Sequence, residues 1–462
     1  MSYNFMKTYL LSQQTPLIHF QYDQEGATLR ATEVKPKLDQ YLIQHAHISP
    51  DAPFRLKVGK DFTNALDYKL RFSCEDRELV DLDEKVGKKK LYDIYYGDMG
   101  KKIEEKIKGV KAKKNITCTI ICVHEELRKL ISQHISDFFI VTNFGRMQRK
   151  GFGSFLVVQD DQGRSVSTPT PKKIAQLLCE EYNSRACYSM PGDDFPFRRI
   201  KVLYGLMKSG YNFGVYQKSM LFRYMADHGF QNEKHGLKVK RLAPKIYKYK
   251  PHYNPDKIID NIKRIYHPKH RHSFEESANS TFYFVRALLG LADHIEYKGQ
   301  YNLEKGLDYR IVRQNGTILE PTWNTEMKID IQPHNSDIER LKSPIFFKII
   351  DNTIYYVGEP LKSEILGKTF EFSSFWNDMT GKDERPKDKK EEEKKKGEKK
   401  REVFRVPTAE ELAEHQLDSN TMIDDFLEYV YQHRSDSFAG VDDLNGMDRM
   451  LKRFDKEGAL QR

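Results

Sequence analysis

Hydrophobic and polar positions divide the chain into short strands and amphipathic helices. The run "YLLSQQTPLIHFQY" predicts an opening strand. It is followed by a helix that begins near Thr32, because Val34, Leu38 and Leu42 then share one face and Pro36 falls in the first turn. "NITCTIICV" predicts a buried strand, and "HEELRKLISQHISDFFIVT" predicts the helix after it. This succession of strands and helices indicates an α+β fold.

The pattern starts again after residue 165, with "PKKIAQLLCEEYNS" as a helix and Asp351-Asn352 as the turn of a hairpin. Residues 387–401 are charged at every position except Gly397, which predicts a solvated segment. Beyond them, Thr408 and Glu411 have the spacing of a capping box. A later apolar stripe at helical spacing favours the covering of a core over the binding of a partner; it consists of Met422, Ile423, Phe426, Leu427, Val430 and Tyr431.

These patterns predict four regions. Residues 1–165 form a first domain with a lysine-rich insertion near 85–114, which is either a mobile insertion or a hairpin. Residues 166–385 form a second domain with helical insertions. Residues 386–403 form a charged linker, and residues 404–462 form an acidic helical extension.

The charge of the chain is unevenly distributed. The net charge of the 462 residues is +10, but residues 402–462 carry seven Lys and Arg against fourteen Asp and Glu, a balance of −7. The preceding residues therefore carry +17, since +10 minus −7 is +17. A basic body indicates a polyanionic partner, although a basic surface kept for solubility gives the same balance.

The cysteines and the hydropathy favour a reduced, cytoplasmic protein. The five cysteines are odd in number and irregular in spacing. Cys118 and Cys122 share a strand face, but only His124 is near as a further ligand, so the sequence does not favour zinc. No apolar run approaches the roughly 20 residues needed to span a bilayer.

The segment "NFGRMQRKGFGSF", Asn143–Phe155, which we call the glycine loop, combines glycine with cations. Its glycine spacing fits neither a P-loop nor a dinucleotide fingerprint. Arg146, Arg149 and Lys150 can neutralise phosphates along a polymer. Gly151, Phe152 and Gly153 complete the candidate RNA-binding segment, while a hairpin with a solvated basic edge is the alternative.

A second basic stretch lies at residues 238–257. Its cations alternate with tyrosines, as in platforms for single-stranded nucleic acid, and an ordinary exposed loop is the alternative. The candidate cations are Lys240, Arg241, Lys245, Lys248 and Lys250. His267, His270 and His272 follow without interleaved Cys or acidic residues, which favours a basic loop over a metal site.

Three segments resemble the RAMP superfamily of CRISPR-associated proteins, and within it the first subunit of type III-B Cmr effector complexes. They are the opening "TPLIHFQYDQEGATLRATEVKPKLDQYL", in which Arg30 and Lys35 match basic positions, the glycine loop, and "IERLKSPIFFKII", in which Arg340 matches. The resemblance implies tandem ferredoxin-like, RRM-type domains. It also implies contacts to guide RNA and target RNA near the guide 3′ end, without catalysis or a cofactor. Residues 387–462 match no segment of that family.

Three functions follow as hypotheses. The first is a non-catalytic subunit of an antiviral type III CRISPR ribonucleoprotein, bound to guide RNA, target RNA and other RAMP subunits. The second is a metal-independent precursor-RNA endonuclease that uses His19, His45 or His47 as its base. The third is an interaction protein whose basic surface meets an acidic partner. Neither a metal nor a membrane is expected.

Overall fold

The structure is a computed structural model that describes most of the chain. It covers residues 5–19, 28–59, 61–82, 84–86, 89–92, 108–212, 216–232, 282–291, 294–299, 311–312, 318–319, 325–334, 338, 340–377, 400–434 and 455–459. The basic stretch 238–257 with its five candidate cations, the histidines between 267 and 272, and residues 387–399 lie outside the described residues.

The described residues form 24 strands and seven α-helices. The strands are β1 (Met6–Gln13), β2 (Arg55–Val58), β3 (Asp61–Leu66), β4 (Lys69–Ser73), β5 (Arg77–Asp81), β6 (Lys85–Val86), β7 (Lys89–Lys90), β8 (Lys108–Ala112), β9 (Ile116–Ile121), β10 (Phe155–Gln159), β11 (Ala186–Pro191), β12 (Tyr211–Asn212), β13 (Tyr216–Gln217), β14 (Gln231–Asn232), β15 (Phe282–Tyr283), β16 (His294–Gly299), β17 (Ile311–Val312), β18 (Ile318–Leu319), β19 (Thr325–Pro333), β20 (Ile345–Ile350), β21 (Thr353–Gly358), β22 (Thr369–Asn377), β23 (Lys400–Arg405) and β24 (Asp455–Ala459). The α-helices are α1 (Ala31–His45), α2 (Glu125–Val141), α3 (Pro171–Tyr182), α4 (Pro196–Lys208), α5 (Met220–Asp227), α6 (Ala409–Glu414) and α7 (Met422–Gln432).

The first domain is a ferredoxin-like unit. Its sheet has the order β10-β1-β9-β4, and every neighbouring pair is antiparallel. In chain order the elements are β1, α1, β4, β9, α2 and β10, which is the βαββαβ sequence of that fold. Alternate residues of β1 and β9, such as Tyr9, Leu11 and Cys118, are buried in the core that α1 and α2 cover.

Helix α1 begins close to the predicted position. Val34, Leu38 and Leu42 are buried on its inner face, as predicted. The helix starts at Ala31 with Arg30 as its N-cap, and no side chain caps it, so Thr32 lies inside the first turn and is not the cap. Two turns of an amphipathic pattern define the buried face well but leave the first residue uncertain by one or two positions.

The second domain repeats the same fold with a discontinuous chain. Its sheet has the order β20-β21-β11-β24, again antiparallel throughout. The chain order β11, α4, β20, β21, α7, β24 gives a second βαββαβ unit. The predicted hairpin at Asp351-Asn352 joins β20 to β21, and both residues have the positive φ that such turns require.

The described elements of the acidic C-terminal region, α6, α7 and β24, pack with this second domain, where the sequence predicted a separate extension. Helix α7 supplies the second helix of the fold, and β24 supplies its fourth strand. Phe426 and Leu427 are fully buried in the same core as Tyr356 of β21. The capping box of Thr408 and Glu411 is present at the start of α6, as predicted.

Segments inserted into the second domain build a further sheet with the order β14-β15-β23-β22-β19-β16. Phe284, Phe372 and Phe404 pack edge to face in its core, with ring centroids 4.8 and 4.9 Å apart. Residues 400–403, the end of the segment expected to be a linker, belong to β23. In the first domain, β8 lies within the lysine-rich insertion and pairs in antiparallel fashion with β5, which precedes the insertion.

Candidate nucleic-acid interface

The glycine loop connects α2 to β10, and its glycines are required by contacts within the protein. Gly145, Gly151 and Gly153 all have positive φ. A Cβ at Gly153 would lie 1.9 Å from the carbonyl oxygen of Phe144, and one at Gly145 would lie 2.6 Å from that of Ile18. The molecule that approaches this backbone closely is therefore the chain itself.

The glycine loop also joins the two domains. The side-chain amide of Asn143 donates to the carbonyl oxygen of Phe347 at 2.9 Å, and the backbone N–H of Phe347 donates to Arg149 at 3.2 Å. The hydroxyl of Ser154 donates to the carbonyl oxygen of Ile349 at 2.7 Å. Because Phe347 and Ile349 belong to β20, these hydrogen bonds connect the loop of the first domain to a strand of the second domain.

Arg149 is turned into the junction between the domains. Its guanidinium forms an ion pair with Glu359, and only 14% of its side chain is exposed. It also lies 5.7 and 5.8 Å from the ring centroids of Tyr182 and Phe346. These contacts give Arg149 a structural role in the described arrangement.

Lys150 points inward in the same way. Its Nζ lies over the ring of Tyr204 and has no hydrogen-bond partner among the described residues. Burial, and then the charges of Lys208 and Arg149, hold the pKa of Lys150 well below its ordinary value.

Phe152 and its neighbours are not arranged for base stacking. Phe152 is fully buried, and its ring stacks on that of Phe197 with centroids 4.0 Å apart. Gly151 packs against Ile349 and Ile200, since a Cβ there would lie 3.0 and 3.2 Å from their side chains. This half of the loop therefore belongs to the core between the domains.

The side chain of Arg30 and the backbone of Arg146 contact two adjacent residues, His19 and Ile18, near the N-terminus of α1. The guanidinium of Arg30 donates to Nδ1 of His19 at 3.1 Å, and the backbone N–H of Arg146 donates to the carbonyl oxygen of Ile18 at 2.7 Å. Both arginines are half-buried, so part of each surface faces solvent. The N-terminus of a helix favours anions, and Arg30 is the N-cap of α1. The arrangement is suited to a phosphate.

Lys35 lies on a different face of α1. Its Nζ donates to Oδ2 of Asp39 at 2.7 Å and to the carbonyl oxygen of Leu66 at 2.8 Å, and it covers the ring of Tyr68. Burial raises the pKa of the Asp39 carboxyl, although the hydrogen bond from Lys35 acts in the opposite direction. Lys35 therefore connects α1 to the strand before β4.

Lys37 and Glu33, which were not singled out from the sequence, hold the glycine loop against α1. Nζ of Lys37 donates to the carbonyl oxygen of Asn143 at 3.0 Å and to the side chain of Gln148 at 2.8 Å. Oε1 of Glu33 accepts from the backbone N–H of Gly145 at 2.6 Å. Burial lowers the pKa of Lys37. Glu33 and Lys37 are four residues apart on one helix, and this spacing is the sequence signal that could have identified the pair.

Arg340 is exposed in the segment that leads into β20. The hydroxyl of Ser343 accepts from the backbone N–H of Ile345 at 3.1 Å, which fixes the start of that strand. Lys342 lies 3.8 Å from Glu359, the partner of Arg149. Arg340 is thus two residues before Lys342, which lies beside the junction between the domains.

The candidate histidines are separated. His19 is next to Arg30, whereas His45 is at the other end of α1, about 22 Å along a 15-residue helix. Nε2 of His45 is 2.8 Å from Oε2 of Glu181, and its ring stacks on Tyr41. His47 has a positive φ beyond the end of the helix. His19 therefore lies with a candidate cation, whereas His45 is at the opposite end of the helix from it.

The cysteines and acidic residues give no metal centre in the described part of the chain. No group of three or more His, Cys, Asp or Glu side chains is placed to hold an ion there. The thiol of Cys122 donates to the carbonyl oxygens of Asp67 and His124, and Cys118 is buried in the first core.

Family comparisons account for most of the chain. The family model of the Cmr1 N-terminal domain matches residues 5–211, and that of the Cmr1 C-terminal domain matches residues 216–439. The chain belongs to the Cmr1 family. Cmr1 proteins are RAMP subunits of type III-B Cmr effector complexes, so the family predicted from three short motifs is confirmed. A comparison with curated proteins gives no match.

The matched range also extends the predicted resemblance. The Cmr1 C-terminal domain includes α6 and α7, although residues 387–462 were expected to match nothing in the family. This agrees with the burial of α7 in the second core. Among the described residues, no helix has the length and apolar character that crossing a membrane requires.

Proposed function

We propose that this Cmr1-family chain is a non-catalytic RNA-binding subunit that holds guide RNA, alone or paired with target RNA, through its sugar-phosphate backbone. The observation that carries the proposal is that Arg30 is the N-cap of α1, without a side-chain cap, and that Arg30 and the backbone of Arg146 are bonded to the adjacent residues His19 and Ile18. Two cations and a helix N-terminus at one place favour a phosphate without reading a base.

The chemistry of a guide RNA supports this kind of site. The sequence of a guide changes with each spacer, so a subunit that carries every guide must rely on phosphate and shape. The balance of +17 over residues 1–401 supplies long-range attraction for such a polyanion. Arg340 and the cations of 238–257 are proposed to add phosphate contacts along the strand.

The structure supports a division of labour among the cations of the glycine loop. Arg146 is proposed to contact phosphate. Arg149 and Lys150 are proposed to fix the position of the loop instead, since their charged groups face the junction between the domains.

The salt dependence of RNA binding tests the proposal. Binding of several unrelated single-stranded RNAs is measured by fluorescence anisotropy over a series of salt concentrations. Each lost phosphate contact reduces the slope of log K against log salt by about 0.7. We therefore expect Arg30→Ala and Arg146→Ala to reduce the slope by about that amount each, and equally for all sequences.

Two control variants each remove one positive charge that is not proposed to contact phosphate. Lys129→Ala acts on a surface pair with Glu125 that is 70% exposed on both sides, and Arg149→Met acts inside the same loop. Both are expected to keep the slope of the wild type. An unchanged slope in the Arg30→Ala, Arg146→Ala double variant contradicts the proposed site, and an effect confined to one RNA sequence contradicts backbone recognition.

A further inference from the structure

Large exposed apolar side chains gather at the end of the first domain where β1 begins and β9 ends. We call this surface the apolar end. Val58 is 73% exposed and Val123 is 60% exposed, values that are unusual for valine. The apolar end consists of Phe5, Met6, Leu56, Val58, Phe62, Ile121 and Val123.

Backbone pairing brings the β1 and β9 residues of this surface together, while strand alternation turns Phe5 and Met6 to opposite sides of the sheet. Met6 is opposite Ile121 in the sheet, and the backbone N–H of Cys122 donates to the carbonyl oxygen of Phe5 at 2.9 Å. The residues of β1 and β9 that follow, such as Thr8 and Thr119, alternate outward on the face away from α1 and α2.

The hairpin of β2 and β3 emerges beside the same end. Its base is held there because Asp67 forms an ion pair of 2.9 Å with His124, and the ring of Phe54 lies 6.1 Å from that of His124. β2 and β3 pair only with each other among the described strands. A two-stranded hairpin with apolar side chains in solvent has marginal stability by itself, so a covering partner would stabilise it.

A basic rim borders the apolar end. Lys69 and Arg71 are exposed on the edge strand β4, where Lys69 is opposite Ile121 and Arg71 is opposite Thr119. Lys57 lies on the hairpin, over the ring of Phe62. In the part of the chain that the structure describes, none of these three cations has an acidic partner.

The apolar end is remote from the cations proposed to bind RNA. β1 runs from Met6 at the apolar end to Gln13. The backbone N–H of the next residue, Gln14, donates to the carbonyl oxygen of Ser154 in the glycine loop at 2.8 Å. Eight residues of strand span about 25 Å. One end of the domain therefore meets the glycine loop, and the other presents apolar side chains.

We propose that the apolar end is the docking surface for another protein subunit, one whose contact surface has an apolar centre and acidic side chains around it. Five of its seven residues have no ring on which a base could stack, and the rings of Phe5 and Phe62 lie against Arg128 and Lys57, which favours protein over RNA. Two copies of this chain would bring Lys57, Lys69 and Arg71 against one another, which disfavours a symmetric dimer.

Assembly of the complex tests the proposal. The full chain is co-expressed with the other subunits of its Cmr complex and a guide RNA, and the complex is purified through a tag on a different subunit. The ratio of this chain to the tagged subunit is then measured. Ile121→Glu places a carboxylate in the apolar centre, so we expect incorporation to fall at least about tenfold, since burying an unpaired charge costs several kcal/mol.

Leu79→Glu is the matched control, because Leu79 on β5 is 43% exposed and Ile121 is 45% exposed. Incorporation of Leu79→Glu is expected to equal that of the wild type. Lys69→Glu combined with Arg71→Glu is expected to reduce incorporation as well, through repulsion from the acidic rim of the partner. Circular dichroism melting curves establish that each variant is folded.

Three results would overturn the proposal. The first is equal incorporation of Ile121→Glu and Leu79→Glu. The second is a smaller salt slope of RNA binding in folded Ile121→Glu, which would assign the surface to RNA. The third is a wild-type dimer in sedimentation that Ile121→Glu abolishes, which would assign it to a second copy. The RNA-binding proposal is measured in a separate assay, so either can fail while the other holds.

Discussion

Replacing Lys348 by Met removes a buried amino group that links the two domains. Lys348 is fully buried in β20 of the second domain. Its Nζ donates to the carbonyl oxygens of Phe139 and Thr142, both at 2.8 Å, at the C-terminus of α2 in the first domain. These carbonyls belong to the part of a helix where no intrahelical donor is available. Met keeps the length of the side chain and removes the donors.

The loss of stability follows from the two acceptors. A buried carbonyl without its donor costs about 1–3 kcal/mol, so the two acceptors together cost about 2–6 kcal/mol. Removing the lysine also removes the free energy needed to desolvate it, which offsets part of this loss. We expect Lys348→Met to lower the free energy of unfolding by about 2–4 kcal/mol at neutral pH.

The pH dependence of this difference identifies its cause. Burial holds the pKa of Lys348 well below its ordinary value of 10.5. Between the lowered value and 10.5, the unfolded chain binds more protons at this site than the folded protein does. The contribution of Lys348 to the free energy of unfolding therefore rises with pH, by up to about 1.4 kcal/mol per pH unit. A neutral amine still has two N–H groups for its two acceptors.

The measurement is urea unfolding followed by circular dichroism at several pH values from 7 to about 9.5, below the ordinary lysine pKa. Lys129→Met, on an exposed helix position, controls for the change from Lys to Met. The wild type should gain stability relative to Lys348→Met as the pH rises. A difference that is constant or shrinks with pH would refute the assignment of a lowered pKa, and a loss below about 1 kcal/mol would refute the role of the two hydrogen bonds.

Two further substitutions test the junction and the C-terminal helix. Gly153→Ala brings a Cβ to 1.9 Å from the carbonyl oxygen of Phe144 at a positive φ. We therefore expect the free energy of unfolding to fall by more than about 3 kcal/mol, or no folded protein. Gly163→Ala, with a positive φ and no close neighbour, should lower it by only about 1 kcal/mol. Equal urea midpoints for these two variants would contradict the close packing of the glycine loop. Asp424→Ala removes the acceptor of a 2.7 Å hydrogen bond from Ser184, which ties α7 to the start of β11, and should cost about 2–3 kcal/mol. An unfolding midpoint like that of the wild type would mean that α7 is not fixed to the second domain by this contact.

The first domain was largely predictable because its signals are local. β9 and α2 have buried residues at periods of two and about 3.6, and the structure gives Ile116–Ile121 and Glu125–Val141 where the sequence predicts them. The α+β class and the tandem ferredoxin-like domains are consistent with both sheets. When paired strands and their covering helices lie close together along the chain, their pairing can be predicted from local sequence patterns.

The end of the second domain could not be recognised in the same way. β24 pairs with β11 across more than half of the chain, and its residues "DKEGA" have low strand propensity. The sequence predicted that the stripe on α7 covers a core, which its burial confirms, but not which core it covers. The acidic composition of the region suggested a separate extension. An amphipathic helix such as α7 can nevertheless be rich in acidic residues, because only its solvent-facing side is polar.

The candidate site shows what composition can and cannot predict. Arg146, Arg149 and Lys150 are alike in sequence, but Arg149 and Lys150 are turned into the junction by contacts with distant residues. The three glycines around them have positive φ and pack against Ile18, Ile349 and Phe144, and spacing alone does not encode such contacts. The importance of Lys37 was missed for the same reason, since its acceptors are more than 100 residues away along the chain.

The glycine loop couples the proposed RNA site to the junction between the domains. Gly145 and Arg146 bind α1 and Ile18. Arg149 and Ser154 bind Phe347 and Ile349 of β20, and Arg149 also binds Glu359, just after β21. Only a few residues separate the two sets of contacts along the loop. An anion that draws Arg146 toward the N-terminus of α1 therefore acts on the same short segment that contacts the second domain. This connection gives a physical reason for a core-forming glycine sequence at a site proposed to bind RNA.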